Sequence, residues 1–501
     1  MTTASSDLLN DCEREPLAFS GLLQSHGALL FLDRASGTFT FGSENLDFFL
    51  GESCNDLLGE NGFQWVEEML PQLHELPEDI GRRVYLPRAI DLGEGEINAL
   101  ISPTGTGWLI EFEFALNDES KIEAPRLPTL NNPNDPTEVR AIQQAVVDGL
   151  AKITGYDRVM LYQFLPDWSG EVLAESVLRS EGTYLSLRFP ATDIPAIARG
   201  LYAQAPYRYI PLATNDTVKL LGRGQVGQEL DLTWSDLRSV SPVHIQYLTN
   251  MNVHASFSIS IMVGGKLWGL IASHNDAPGP ISLPARLACT ELIDEFVHRI
   301  EAQRTDQKRR IAKQLSLELS SGLAPGGSTT AMAAAVLSIV ATLRDQIYFS
   351  NCIVDVAGAN VALNALNDQL VAELIDVHQD SDFDSITLLE SLPDDLGIKA
   401  AASAENIVGT AAFKLRASRQ ANALITIILI RPEEAGEVAW AGNPQKPVEV
   451  SDGGGMKLSP RQSFEKWVQV RRGLAKTWTE DDVFVLGLLK DLLADALKSS
   501  A

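Results

Sequence analysis

The chain has little of what several protein classes cannot do without. Its four cysteines, Cys12, Cys54, Cys289 and Cys352, are scattered over 501 residues. Neither a disulfide framework nor a metal-ligand spacing can be drawn through them. No zinc-type histidine pair, phosphate-loop signature or nucleophile-elbow serine occurs, and nothing reads as a catalytic domain. Positive charge is in deficit: 40 Lys and Arg stand against 66 Asp and Glu, a formal charge of −26. Such a surface repels nucleic acid and anionic membrane, so neither is an expected partner. The longest strongly apolar run, 423–430, is far too short to span a bilayer. Residues 1–16 are polar and acidic, without a basic-then-apolar leader, and a cytoplasmic protein is expected.

What is present is ordinary core-forming sequence, 45% hydrophobic, and long enough for about three domains. Pro- and Asn-rich punctuation over 125–136 reads as an interdomain linker. Before it, short alternating segments at 28–33, 37–41 and 108–114 predict a small sheet-containing domain. After it, 137–154 has helical spacing, with Val139, Ile142, Val146 and Leu150 on one stripe. At 255–274, Ser256, Ser258 and Ser260 alternate with Phe257, Ile259 and Ile261, a strand with one polar face. Gly264-Gly265 marks a hairpin. A two-residue turn puts His274 on the face opposite the serines, whereas a three-residue loop through Lys266 puts it on the same face. The pattern alone leaves both open.

From 284 to about 319 the spacing predicts one long helix, with Leu292, Phe296 and Ile300 and then Ile311, Leu315 and Leu319 as its stripe. A third domain follows. Within it 431–467 is rich in Gly and Pro and too long for an idle connection. The last segment opens on Thr479-Glu480-Asp481-Asp482, a capping-box-like start. Leu486, Leu489, Leu493 and Ala496 then follow heptad-like spacing, which predicts a helix continuing as a coiled coil.

Two motifs carry the functional argument. Gly222-Arg223-Gly224-Gln225-Val226-Gly227 matches the dinucleotide fingerprint in form only. It follows no convincing strand, opens no helix and has no acid at the required distance. The segment 189–195, Phe-Pro-Ala-Thr-Asp-Ile-Pro, holds Asp193 in an apolar stretch stiffened by two prolines. A surface turn explains it alone. Its neighbours add more. Arg208 and Arg238 could clamp carboxylates bidentately, and Ser256 and Ser258 add hydroxyls. His244 and His274 offer donors and acceptors, while Tyr162, Phe189, Tyr202 and Tyr247 supply aromatic walls. Together they suit a flat, polar-edged ligand bearing two acid groups.

This combination resembles a bacteriophytochrome photosensory module, a red/far-red receptor for the linear tetrapyrrole biliverdin. The resemblance runs from Leu9 to Leu497 and is specific in five places. These are Asp11-Cys12-Glu13-Arg14-Glu15-Pro16 with Gln24-Ser25-His26-Gly27 after it, Asp193-Ile194-Pro195, Ser241-Pro242-Val243-His244, and the halves of a hairpin extension at Trp440-Ala441-Gly442 and Pro460-Arg461-Gln462-Ser463-Phe464. It implies an α+β chain of PAS, GAF and PHY domains with antiparallel sheets flanked by helices. The expected bounds are 1–125 for the N-terminal segment and PAS domain, 135–305 for the GAF domain, and 306–501 for the PHY domain with its tongue at about 431–467. It also implies a figure-of-eight knot between the first two domains, which nothing but the family likeness would justify expecting.

By the same resemblance Cys12 forms a thioether with the ring A vinyl group of biliverdin IXα. Asp11 and Glu13 disfavour a thiolate there, so attachment must depend on proximity. Arg208, Arg238, Tyr202, Ser256 and Ser258 hold the propionates, and the Asp193 carbonyl and His244 organise the pyrrole nitrogens, with Ile194 and Pro195 flanking. His274 binds the ring D carbonyl, which favours the three-residue loop, and Tyr162, Phe189 and Tyr247 surround that ring. Isomerisation of C15=C16 is expected to free Asp193 from Arg461. Ser463 then replaces it, Trp440 and Phe464 move, and the tongue refolds from strand toward helix. A homodimer and a C-terminal output domain, a histidine kinase or a diguanylate cyclase, are the implied partners. Departures at Ser25, Gln163, Asn252, His254, Ser273 and Asn275 bear on spectral tuning and dark reversion. A GAF-type sensor of a diffusible ligand, with Cys12 incidental, is the alternative.

Overall fold

The computed structural model describes residues 16–93, 95–116, 122, 125–129, 135–179, 182–223, 229–322, 328–393, 402, 405–417, 423–444, 448–450, 456–458 and 461–499. The chain divides into two compact units. One comprises 1–164, 168–301 and 440–467; the other comprises 165–167, 302–439 and 468–501.

The first unit contains two sheets. The N-terminal one has seven strands, in the order Leu22–Gln24, Thr217–Gly222, Phe39–Ser43, Ala28–Asp33, Gly107–Phe114, Glu96–Pro103 and Val84–Asp91. Ala28–Asp33 reads as a near-continuous apolar run because both of its faces are covered. Leu30, Phe39, Ile110 and Phe112 pack under short helices through Leu46, Phe49, Leu57 and Val66. Leu29, Phe31 and Leu109 face the other way and meet Leu230, Leu232 and Leu237 from a long loop of the second domain.

Thr217–Gly222 also comes from the second domain, and this corrects the sequence reading. The Gly222 motif does follow a strand, hidden in sequence because only Val218, Leu220 and Leu221 break its polarity. Gly224 and Gly227 lie outside the described residues. The expected knot depends on the threading of 1–15 and 224–228, which also lie outside them.

The second sheet runs Tyr207–Ile210, Ala255–Val263, Lys266–Asn275, Arg158–Phe164, Gly170–Val177 and Arg188–Phe189, and is extended by Trp440, which pairs in parallel with Arg188, and then by the strand that begins at Lys466. Helix Pro136–Thr154 begins on an Asp135 cap, with Pro at its first position, and ends at Gly155 in the left-handed region. Its Ile142, Val146 and Leu150 pack with Leu292 and Phe296 of the long helix Leu283–Gly322 onto Phe257, Ile259, Ile261 and Ile271. That buries one face of the sheet and leaves the serine face for the site.

The second unit holds a five-stranded sheet in the order Ala359–Ala362, Asn351–Val356, Ala423–Arg431, Gly409–Ala417, Thr387–Leu389. Ala423–Arg431 is the longest apolar run because it is central and covered on both faces. Ile425, Ile427 and Leu429 meet Val336, Val340 and Leu486, while Ile428 and Ile430 meet Leu370 and Leu374. The last helix, Glu480–Ser499, opens on the expected box: Thr479 Oγ1 accepts from the Asp482 amide, and Asp482 Oδ2 accepts from the Thr479 amide. Its Leu486, Leu489 and Leu493 are core residues of this sheet, so the heptad-like stripe is spent inside the domain.

Among the described residues no helix is long and apolar enough to cross a membrane. No group of three or more His, Cys, Asp or Glu side chains is placed to hold a metal ion there.

Candidate functional site

The floor of the site is the polar face of the second sheet. Ser256 pairs with His274 on one side and Ile210 on the other; Ser258 pairs with Ala272 and Arg208. His274 thus shares the serine face, as expected, but by a different route. The turn is the two-residue one: Val263 pairs with Lys266, and Gly264 and Gly265 both have positive φ, 58° and 74°. Strict pairing from that turn would oppose Ser256 to Ser273. Instead the register shifts between Ile261, which pairs with Gly269, and Met262, which pairs with Leu267. Trp268 is the extra residue of a β-bulge, and one residue of shift carries His274 to the other face. The three-residue loop is therefore wrong, and the bulge does its work.

Burial, reinforced by the neighbouring charge of Arg158, holds the His274 ring neutral, with its pKa lowered to about 3. Its Nδ1 is buried without a hydrogen-bond partner among the described residues. His244 lies on helix Pro242–Asn250, stacked on Tyr247 with ring centroids 6.1 Å apart. Burial, reinforced by Arg208, lowers its pKa to about 4.

The two arginines differ. Arg238 is buried, and its Nε and Nη1 have no hydrogen-bond partner among the described residues. A buried guanidinium in that state is a demand for an anion. Arg208 is committed to backbone: Nη1 donates to the Asp236 carbonyl at 3.4 Å, and Nη2 donates to those of Ser239, at 2.9 Å, and Arg238. In this structure it braces the loop that carries Arg238. Tyr202 ends helix Ala196–Tyr202 and is near enough to act electrostatically on both arginines.

A second cluster forms around Asp193, in the single turn Ala191–Asp193. Ile194 and Pro195 follow, Pro195 as the N-cap of the next helix and Ile194 as acceptor from Arg199 at 2.6 Å. The Asp193 carboxylate and the Arg461 guanidinium are each 2% exposed and form a two-point ion pair: Nε donates to Oδ1 at 3.2 Å, and Nη2 donates to Oδ2. Tyr247 Oη donates to Asp193 Oδ2 at 3.0 Å. Arg461 also donates to the Ala441 carbonyl and lies over Phe189 and Phe464 at 5.7 and 4.9 Å. Phe464 meets Tyr247 edge-on at 5.1 Å, and Phe189 meets Tyr162 at 6.0 Å.

Tyr162, Phe189, Asp193, Tyr247, Arg461 and Phe464 are thus brought together. Ser463 is exposed, and Trp440 is half-buried. Cys12 lies outside the described residues.

Sequence reasoning missed several participants. Tyr184 packs on Phe189 at 5.7 Å and under Arg158 at 4.6 Å, five residues before a motif that should have drawn attention to it. Asn250 donates to the Arg461 carbonyl at 2.9 Å. Buried acids and arginines at 83, 111, 236 and 286 left no local signal, because they meet only through the fold.

Three family models match: PAS fold over 12–113, GAF domain over 138–303 and Phytochrome region over 362–501. The chain is 31% identical to a bacteriophytochrome of Pseudomonas aeruginosa over 516 aligned positions, which cover all of this chain and 68% of that protein. The chain belongs to the bacteriophytochrome family. It is 30% identical to cyanobacterial phytochrome B of Nostoc, covering 95% of this chain and 64% of that one. The wild-type photosensory core module of Stigmatella aurantiaca phytochrome superposes with a TM-score of 0.70 at 27% identity, covering 98% of each chain. A bacteriophytochrome from the photosynthetic bacterium R. palustris gives 0.71 at 24% identity, over 98% of this chain and all of that one.

The chain is therefore a light photoreceptor module of PAS, GAF and PHY architecture. A GAF-type sensor of a diffusible ligand is not favoured. About a third of the length of the two curated relatives lies beyond what this chain spans.

Proposed function

We propose that this module is a red/far-red receptor carrying biliverdin IXα, attached to Cys12 by addition of its thiol across the ring A vinyl group. Cys12 would hold the group by this addition, sulfur to one vinyl carbon and proton to the other, with no leaving group. The observation that carries the reading is Arg238, a buried guanidinium on the loop that Arg208 holds, with Nε and Nη1 unpartnered among the described residues, as is Nδ1 of His274 on the serine face. An acid-bearing ligand with a polar edge satisfies both. Bound biliverdin supplies visible absorption and photoisomerisation about C15=C16.

The chain's own residues do the rest. Arg238 neutralises a propionate, with Arg208, Tyr202, Ser256 and Ser258 around it. His244 and His274 stay neutral, so each can both donate and accept; His274 serves the ring D carbonyl, and His244 with the Asp193 carbonyl serves the pyrrole nitrogens. Tyr162, Phe189 and Tyr247 exclude water from ring D. Asp193 is the joint: in darkness its carboxylate holds Arg461, and in light it exchanges Arg461 for Ser463. Loss of that pair frees Phe464 and Trp440 and lets the tongue pass from strand to helix, a bistable element biased by one local exchange. The signal passes through a homodimer to a C-terminal output domain, a histidine kinase or a diguanylate cyclase, in the cytoplasm. The domain bounds remain 1–125, 135–305 and 306–501, with a knot between the first two.

A dark-minus-illuminated absorption spectrum of the biliverdin-loaded protein tests the reading. A reversible red/far-red difference is expected, with an adduct that survives denaturation and disappears in Cys12→Ala. A wild-type adduct lost on denaturation removes the thioether; a flat difference spectrum removes the photochemistry.

A further inference from the structure

We propose that Glu111 is a positioning residue of the chromophore pocket, acting from the N-terminal sheet through the backbone of 235–238 to aim Arg238. The inference rests on the reading of Arg238 as a carboxylate partner. Glu111 lies on strand Gly107–Phe114, on the face that carries Leu109 and packs against the long loop of the second domain. Its side chain is 1% exposed.

Its oxygens are aimed at that loop, with Arg83 Nη2 also 3.7 Å from Oε2. Oε1 accepts from Ser235 Oγ at 2.6 Å and from the Leu237 amide at 3.0 Å, and Oε2 accepts from the Asp236 amide at 3.3 Å. Three donors on three consecutive residues converge on one carboxylate, the chemistry by which an acid fixes a turn of backbone. The other side of the loop is held as firmly. Gln24 donates to the Asp236 carbonyl at 3.1 Å, its own amide donates to the Leu237 carbonyl at 2.6 Å, and Arg208 grips the carbonyls of 236, 238 and 239. The Asp236 carboxylate accepts from Arg83 Nη2 at 2.6 Å and from Tyr207 Oη, with Arg286 at 3.9 Å.

Residue 238 is the next step of the chain after these held residues, and it is there that guanidinium nitrogens are left without partners among the described residues. A site that must hold an arginine ready for an anion needs its backbone fixed independently of the anion. Glu111 supplies that from another domain.

The test uses the Cys12→Ala protein, so that uptake is an equilibrium, with biliverdin and its dimethyl ester as probes. The parent is expected to bind the free acid at least tenfold more tightly than the ester, and Arg238→Ala to lose most of that preference. Glu111→Gln is expected to reduce the preference severalfold. In the ligand-free protein, peptides spanning 235–238 should exchange amide hydrogen at least tenfold faster, with the melting temperature little changed. Unchanged preference and unchanged exchange overturn the proposal. A parent without preference for the acid removes the reading of Arg238 instead, while the exchange result still decides whether Glu111 holds the loop. Should Glu111→Gln not fold, Ser235→Ala removes the shorter of the two bonds to Oε1 and is expected to move both readouts the same way; no change there overturns the proposal as well.

Discussion

Asp193 and Arg461 are both almost completely buried, so neither charge can turn to water if the other is removed. Their fallback partners are unequal. Without Arg461, the Asp193 carboxylate keeps the Tyr247 hydroxyl; without Asp193, the guanidinium keeps the Ala441 carbonyl and the faces of Phe189 and Phe464. Breaking a buried pair from one side costs ~3–5 kcal/mol when the rest stays in place. Here the tongue segment can leave instead, so the cost appears as undocking rather than as global unfolding. Arg461→Ala is expected to raise amide exchange at 440–442 and 461–465 while the sheet strands of the same unit keep their protection, and to impair formation of the lit state. Protection and photoconversion both unchanged would remove the pair from the switch.

At the scale of elements, the docked tongue depends on a glycine. Gly442 has φ +84°, and a Cβ there would overlap the Ser463 carbonyl oxygen; its amide donates to the Glu465 carbonyl at 2.8 Å. Neither backbone group can swing aside as a side-chain end could. Gly265, at φ +74° in the hairpin turn, has nothing within 4 Å of such a Cβ. Gly265→Ala is therefore expected to cost only the conformational term, about 1 kcal/mol. Gly442→Ala adds the overlap and should open the tongue, seen as rapid proteolysis near 442 and loss of protection at 461–465. Equal effects of the two substitutions would show that the Ser463 contact carries nothing.

The same elements mark how far sequence reasoning reached. Alternation located the strands at 108–114 and 255–263 and periodicity the helix stripe Ile142, Val146, Leu150, because burial writes a period into the sequence, while 28–33, covered on both faces, stands out as a short apolar run instead. The bulge at Trp268 was not legible: one extra residue in a run of apolar side chains changes register without changing composition. Strand Thr217–Gly222 was missed because it completes a sheet begun some 180 residues earlier. Pairing of Asp193 with Arg461, 268 positions apart, followed from motifs and not from any spacing rule. The acids and arginines around Asp236 left no trace at all, since each sits singly in an ordinary strand, loop or helix.

For the whole molecule, the buried rings set a pH response. His26, His244, His274 and His378 are held neutral by burial, with pKa values lowered to about 3, 4, 3 and 4 from an ordinary 6.5. Unfolding exposes them, so below pH 6.5 the unfolded chain binds more protons than the folded one on these groups, and stability is lost as pH falls. Glu111 acts in the opposite sense. Burial and the nearby Asp236 raise it to about 7, so it favours the folded state more as pH falls from 7 toward 4.5. Burial raises Glu113 as well.

At pH 6 the four histidines give the unfolded chain about three extra protons, and the acids raised in the opposite sense, Glu111, Glu113, Asp294 and Asp481, offset part of that. The large negative charge does not reverse this, because ordinary surface carboxylates titrate nearer pH 4. The melting temperature of the ligand-free protein is therefore expected to fall from pH 6.5 to 5.5 in thermal scans. A flat or rising curve over that range would mean that the folded chain protonates these rings, and that His244 and His274 do not meet a ligand as neutral donors and acceptors.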